Sequence, residues 1–193
     1  MPKRWNIAPH DATTVASLEK SAGISPILAR LLVARGVTDP KQVRGFLDAS
    51  MSNLREPEEL FGIAEAADSI LAAAKAGRKI VIYGDYDADG MSSTAILCHC
   101  LAAIHVEPHW YVPDRFDEGY GLNSDALRRL KQDGAELVVT VDCGIASVAE
   151  ADVAREIGLE LIITDHHNFA DRLPAADVLV HPRLPGSEYP FGD

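Results

Sequence analysis

Three aspartates alternate through YGDYDADG, at Asp85, Asp87 and Asp89, and Gly90 closes the run. Two more clusters of ligand-type residues follow: Asp142 in VDCG, and Asp165, His166 and His167 in TDHH. Carboxylates crowded this closely repel one another unless a cation or full solvation relieves them. Asp87, Asp89, Asp142 and His166 offer hard oxygen donors and one imidazole. That set suits Mn²⁺ or Mg²⁺ better than a thiolate zinc site. An aspartate shared by two such ions makes a two-metal site, and two-metal sites fit phosphoester hydrolysis. They lower the pKa of a bridging water, orient the phosphate, and stabilise charge on the attacking and leaving oxygens. For any single cluster the plainer reading is a solvated acidic turn, or a helix N-terminus that favours negative charge.

The first cluster also matches the opening of a calcium EF-hand loop. Counted from Asp85, the position that needs a bidentate glutamate holds Ile96, and a strand rather than a helix precedes the loop. The EF-hand reading is therefore set aside. Arg115, Gly119, Tyr120, Gly121 and Asn123 lie in PDRFDEGYGLN. They read either as a loop gripping a phosphate through Arg115 or as a glycine-stabilised turn with Asn123 capping the next helix. Cys98, His99 and Cys100 are consecutive in a predicted helix, so their side chains fan out and cannot converge on one ion. Buried thiols are the expectation there. Cys143 shows no sign of being a nucleophile. His181 and Arg183 read as a substrate contact or a plain loop, and Arg128 with Arg129 as a solvated helix face.

The elements that must position these residues alternate from Lys79 onward. KIVIYG, HWYV, ELVVTV, LELIIT and ADVLV read as strands. Helices are predicted between them over residues 90–104, 124–132 and 146–157, after an alanine-rich helix that Gly77 ends. Continuous apolar strands alternating with helices imply a five-stranded parallel sheet with helices on both faces. In such a sheet ligands bind outside the carboxyl ends of the strands, at a switch point. With strand order 2-1-3-4-5, the Asp85 and Asp142 clusters flank that point, and TDHH lies one strand further along. Residues 1–60 read as a separate small helical region, with Ser25-Pro26 and Asp39-Pro40 opening two helices. Residues 61–193 read as the sheet domain.

The chain has 193 residues, formal net charge −11, 47% hydrophobic residues and three cysteines. This is a globular composition, too poor in cysteine for a disulfide framework. No run approaches a membrane span, and the N-terminus lacks an apolar signal region. A cytoplasmic location is expected. The acidic balance argues against a broad nucleic-acid-binding surface on this chain, though not against a local phosphate site.

In that order, GDYDADG, VDCG and TDHH resemble motifs I to III of the DHH phosphoesterase family. The helical N-terminus and VPDRFDEGYGLN resemble the branch that degrades single-stranded DNA from its 5′ end. The resemblance implies two Mn²⁺ or Mg²⁺ ions held by Asp87, Asp89, Asp142 and His166, with Asp142 bridging. It implies that His167 acts near the scissile phosphate and that Asp165 anchors the histidines from behind. Smaller members of the family carry a histidine where this chain has Tyr83, so Asp85 or a water takes that place. The implied activity is a 5′→3′ exonuclease on single-stranded DNA that releases 5′-mononucleotides in repair and recombination. Single-strand-binding protein and a helicase are the implied partners, and no membrane is. A fourth-motif aspartate, a DHHA1-type domain and an OB-fold are expected beyond Asp193, which makes this chain a fragment with weakened metal binding. Two alternatives remain: a small-substrate phosphoesterase acting on nanoRNA, cyclic dinucleotides or pyrophosphate, and a non-catalytic scaffold.

Overall fold

The computed structural model describes residues 9–48 and 50–190. The expectations about the first eight residues, and about the end of YPFGD, fall outside them. The chain divides into two compact units, Met1–Glu56 and Pro57–Asp193, a few residues before the expected boundary.

The first unit holds α1 (Ala12–Ala22), α2 (Pro26–Ala34) and α3 (Pro40–Leu47). Each starts on a side-chain cap: Asp11 accepts from the Thr14 amide, Ser25 from Leu28 and Asp39 from Lys41. These caps satisfy amides that a helix start leaves without partners. Val15, Leu18, Ala29, Leu32 and Val43 form its core.

The second unit starts with α4 (Ile63–Lys75) and then alternates. Its elements are β1 (Ile80–Gly84), α5 (Ala88–Ala103), β2 (His109–Tyr111), α6 (Ser124–Gln132), β3 (Leu137–Val141), α7 (Val148–Glu156), β4 (Glu160–Thr164) and β5 (Val178–Val180). All four strand pairings are parallel, in the order β2-β1-β3-β4-β5. This is the expected α/β fold. Alternate strand residues feed two cores. Val81, Tyr83, Val138, Leu161 and Ile163 pack with residues of α6 and α7. Ile80, Ile82, Val139 and Ile162 pack with residues of α4 and α5. An apolar cavity of about 580 Å³ opens between α4 and α5 on the sheet face, its lining reaching Val141, Thr164 and Val180 at the strand ends. Among the described residues, no helix is long and apolar enough to cross a membrane.

Register decides where the chemistry sits. Gly84 pairs with Val141, and Val141 with Thr164. The next residue on each strand is an aspartate, so Asp85, Asp142 and Asp165 follow in one row across three adjacent strands. The Asp142 amide donates to the Thr164 carbonyl (3.0 Å) and the Asp165 amide to Val180 (3.1 Å), which extends the ladder into the site.

Candidate metal centre

Two groups of ligand atoms form at this row. Asp85, Asp87 and Asp142 place one ligand atom each within 4.8 Å of one another, and so do Asp142, His166 and His167. Asp142 belongs to both. Asp89, expected beside Asp87, joins neither group in this structure, and Asp85 stands in its place. Tyr83 does not reach the site. It is fully buried, and its hydroxyl donates to the Gly121 carbonyl at 3.1 Å.

The aspartate side is shaped by backbone. Asp87 caps α5, its Oδ1 accepting from the Asp89 and Gly90 amides at 3.0 and 3.1 Å. The helix therefore starts two residues earlier than its apolar pattern suggests, and Asp89 is drawn into its first turn. The Gly90 amide, followed by burial working the other way and the Asp89 amide, keeps the Asp87 carboxyl below its usual range. Gly90 is obligatory: a Cβ there would lie 2.5–2.7 Å from the backbone of Asp85. Asp85 is buried, and burial followed by the Asp87 charge raises its pKa despite the bond from the Tyr86 amide. Asp142 is raised for the same reasons, burial first and then Asp87. It also holds a left-handed backbone at φ 64°, a conformation that Asp and Asn tolerate better than other non-glycine residues and that clusters at functional sites.

On the histidine side the Asp165 carboxylate is fully satisfied, while Arg183 Nε behind it has no partner. Asp165 is buried, which by itself would raise its pKa. The amides of Ile145 (2.9 Å), His167 (3.0 Å) and His166 (2.7 Å), with the His167 imidazole at 2.7 Å, hold it below its usual range. Burial pulls the His167 pKa down, but the Asp165 carboxylate more than offsets that and raises it. His166 Nε2 lies 3.0 Å from Asp142 Oδ1. Behind the turn, buried His181 donates from Nε2 to the His167 carbonyl at 2.8 Å, and Arg183 donates to the same carbonyl at 3.0 Å. His181 and Arg183 thus support the histidine turn.

A metal pair fits these residues on one observation in particular. Asp142 Oδ2 is buried and has no hydrogen-bond partner, while Oδ1 faces His166. A buried carboxylate oxygen without a donor is costly unless a cation takes it. Oxygen donors on one side of Asp142 and imidazoles on the other would suit a divalent pair with that carboxylate between them.

The PDRFDEGYGLN loop reaches the same place. The Tyr120 hydroxyl lies 3.2 Å from His167 Nε2, its ring meets Tyr86 edge-on, and Arg115 stacks over the Tyr86 ring at 5.2 Å. A cavity of about 260 Å³, lined in part by Tyr120, Gly121, Gly144, Asp165 and His167, opens beside them. Gly119 and Gly121 take positive φ, as the turn reading requires. Asn123 is engaged as the cap of α6, accepting from Asp125 and Ala126, so its side-chain oxygen is not free for substrate. The cysteine expectation needs correction. Cys143 is fully buried and burial raises its pKa, but Cys98 is half-buried and Cys100 exposed, because α5 turns that flank outward. Arg129 is also no idle surface charge, since it ion-pairs with Glu118.

Residues 79–188 match the model of the DHH family, N-terminal domain. The chain belongs to the DHH family. The single-stranded-DNA-specific exonuclease RecJ of Bacillus subtilis (strain 168) is 46% identical over 188 residues, 97% of this chain and 24% of that protein. RecJ of Escherichia coli (strain K12) is 36% identical over 170 residues, 88% of this chain and 29% of that protein. This DHH chain therefore spans about a quarter of the length of the curated relatives it matches. Among solved structures, exonuclease RecJ bound to manganese aligns with TM-score 0.62 at 40% identity, covering 69% of this chain and 34% of that one. RecJ from Thermus thermophilus in complex with Mn²⁺ aligns with TM-score 0.65 at 30% identity, covering 92% and 24%.

Proposed function

We propose that this DHH domain is the metal-binding part of a 5′→3′ exonuclease acting on single-stranded DNA, with Mn²⁺ or Mg²⁺ as cofactor. The observation that carries the reading is Asp142, shared by two ligand groups and left with one unpartnered buried oxygen. Bound there, a divalent pair supplies a water acidified to near neutral pH and a clamp on the phosphate. The chain's residues do the rest. Asp85, Asp87, Asp142 and His166 would hold the ions, with Asp89 beside them in the first turn of α5. Asp165 fixes the His167 ring through Nδ1 and raises its pKa, which favours the charged form and suits a group facing a phosphate or leaving oxygen. Arg115 and Tyr120, with the turn at Gly119, present a cation and an aromatic face to the DNA end.

The motif resemblance implies 5′ polarity and the release of mononucleotides, and it extends this reading to a cytoplasmic role in repair and recombination. Single-strand-binding protein and a helicase are the partners such an enzyme would meet. Intact ligands at all three strand ends argue against a scaffold. The test is digestion of 5′-labelled single strands by the full-length protein with Mn²⁺, in parallel with a dinucleotide. Turnover of the dinucleotide alone would replace this reading with a small-substrate phosphoesterase. No metal binding by calorimetry would replace it with a scaffold.

A further inference from the structure

The segment that brings Arg115 and Tyr120 to the site is tied down at its base by one carboxylate. Both Glu118 oxygens lie close to the Tyr111 hydroxyl of β2 (2.6 and 2.7 Å), which donates to them. The Asp114 amide donates to Oε2 at 3.0 Å, and Arg129 of α6 ion-pairs with Oε1 while also donating to the Tyr111 hydroxyl at 3.0 Å. Glu118 thereby joins a strand, a helix and its own loop. Its side chain is only 18% exposed, whereas Arg129 is 55% exposed. Such charge-assisted bonds are stronger than neutral ones and fix direction. Further along, the Gly121 carbonyl is held by Tyr83, and Asn123 caps α6. Between these two anchors stands Tyr120, against His167, and just before the first stands Arg115, on Tyr86.

We propose that Glu118 is a positioning residue that fixes residues 114–121 so that Arg115 and Tyr120 face the metal groups, setting substrate affinity without touching substrate. Its catalytic arm rests on the exonuclease reading; its structural arm does not. Without the Glu118 carboxylate the loop keeps its far anchor and the turn that Asp114 closes on the amides of Phe116, Asp117 and Glu118, but loses its tie to β2 and α6, so Arg115 and Tyr120 sample more placements. A misplaced binding group weakens substrate capture more than chemistry when the metal ligands stay put.

The experiment compares E118A and E118Q with wild type in the full-length, Mn²⁺-loaded protein. For E118A, KM for single-stranded DNA should rise at least ~10-fold, with kcat within about 2-fold and Mn²⁺ affinity unchanged. Amide exchange should speed up in residues 114–121 while β1 and β3 stay protected. E118Q keeps an acceptor for Tyr111 and should restore part of both effects. If E118A does not fold, Y111F removes one donor, keeps the ring, and should show the same pattern at smaller size. Unchanged exchange in 114–121, or faster exchange with unchanged KM, overturns the proposal. A wild-type protein that does not cut single strands overturns the exonuclease reading instead, and the exchange data then decide the loop's anchor alone.

Discussion

The two ligand groups share Asp142 yet are built in opposite ways. On the histidine side the protein supplies every partner of the Asp165 carboxylate, and the one buried polar atom left over is Arg183 Nε, behind the turn. Asp165 accepts from three amides and an imidazole, and His181 and Arg183 hold the His167 carbonyl from behind. On the aspartate side burial and like charge push Asp85 and Asp142 upward, one Asp142 oxygen is orphaned, and its backbone is left-handed. One half is assembled by folding, while the other is left in deficit for a cation to complete. Removing a group should therefore have opposite effects on the metal-free protein depending on the half it comes from.

The sharpest contrast is at Asp142. Asp142→Asn should cut nuclease activity of the full-length protein by at least ~100-fold, because the ligand common to both groups is lost. Asn tolerates the left-handed backbone and carries no charge. The metal-free melting temperature of the variant should therefore equal or exceed that of wild type. A lower metal-free melting temperature would break the comparison, since it would mean that the aspartate side also stabilises the fold.

Asp165→Ala should do the reverse. It leaves the amide of fully buried Ile145 without an acceptor and releases His167. A loss of about 2–4 kcal/mol in the metal-free protein is expected from denaturant titration. Metal affinity should fall about 10- to 100-fold through loss of the anchor behind the histidines. A variant as stable as wild type would show that the histidine turn is held by His181 and Arg183 instead.

A pH series separates the halves more gently. Asp85 and Asp142 have folded pKa values above the ordinary value of about 4. The folded state then binds their protons more tightly, so stability falls as pH rises from about 4 through the raised values. Asp165 is depressed, so its contribution is complete above about pH 4 and is lost as pH falls through its folded value. The melting-temperature gain on adding Mn²⁺ should thus grow as pH rises from about 4 to 7, and in Asp142→Asn the growth should flatten. A gain that stays constant with pH would contradict the deficit on the aspartate side.

Which parts of this are legible in the sequence follows from the range of the interactions. Strand ends, helix caps and the row of aspartates follow from local periodicity and short turns, so Asp85, Asp142 and Asp165 fall at the strand ends that the pattern marks. The partition within the first cluster does not. Whether Asp85 or Asp89 faces Asp142 depends on where α5 starts, and Asp87 starts it early by capping. The roles of Glu118, Tyr86, His181 and Arg183 are hidden from sequence reasoning because their partners lie elsewhere in the chain. Glu118 meets Arg129 and Tyr111, and His181 meets His167. The one available signal for His181 and Arg183 is position, just past β5 at the same end of the sheet. Cys100 departs from expectation because it falls on the flank of α5 that faces away from the sheet core.

The smallest predicted effect concerns a residue that belongs to neither half. Tyr83 stands where the resemblance places a histidine in smaller family members, and Asp85 or a water is expected to take over that place at the metal. Its ring is instead packed in the core against Tyr111, at 5.1 Å between centroids, and its hydroxyl serves the Gly121 carbonyl. Tyr83→Phe keeps the ring and removes one buried hydrogen bond, a cost of about 1 kcal/mol. Mn²⁺ affinity by calorimetry should not change, because Asp85 lies two residues on in sequence and already faces Asp142. If Tyr83→Phe weakened metal binding instead, the Gly121 anchor would be transmitting strain to the ligands. The boundary between binding loop and metal centre would then have to be redrawn to include Tyr83.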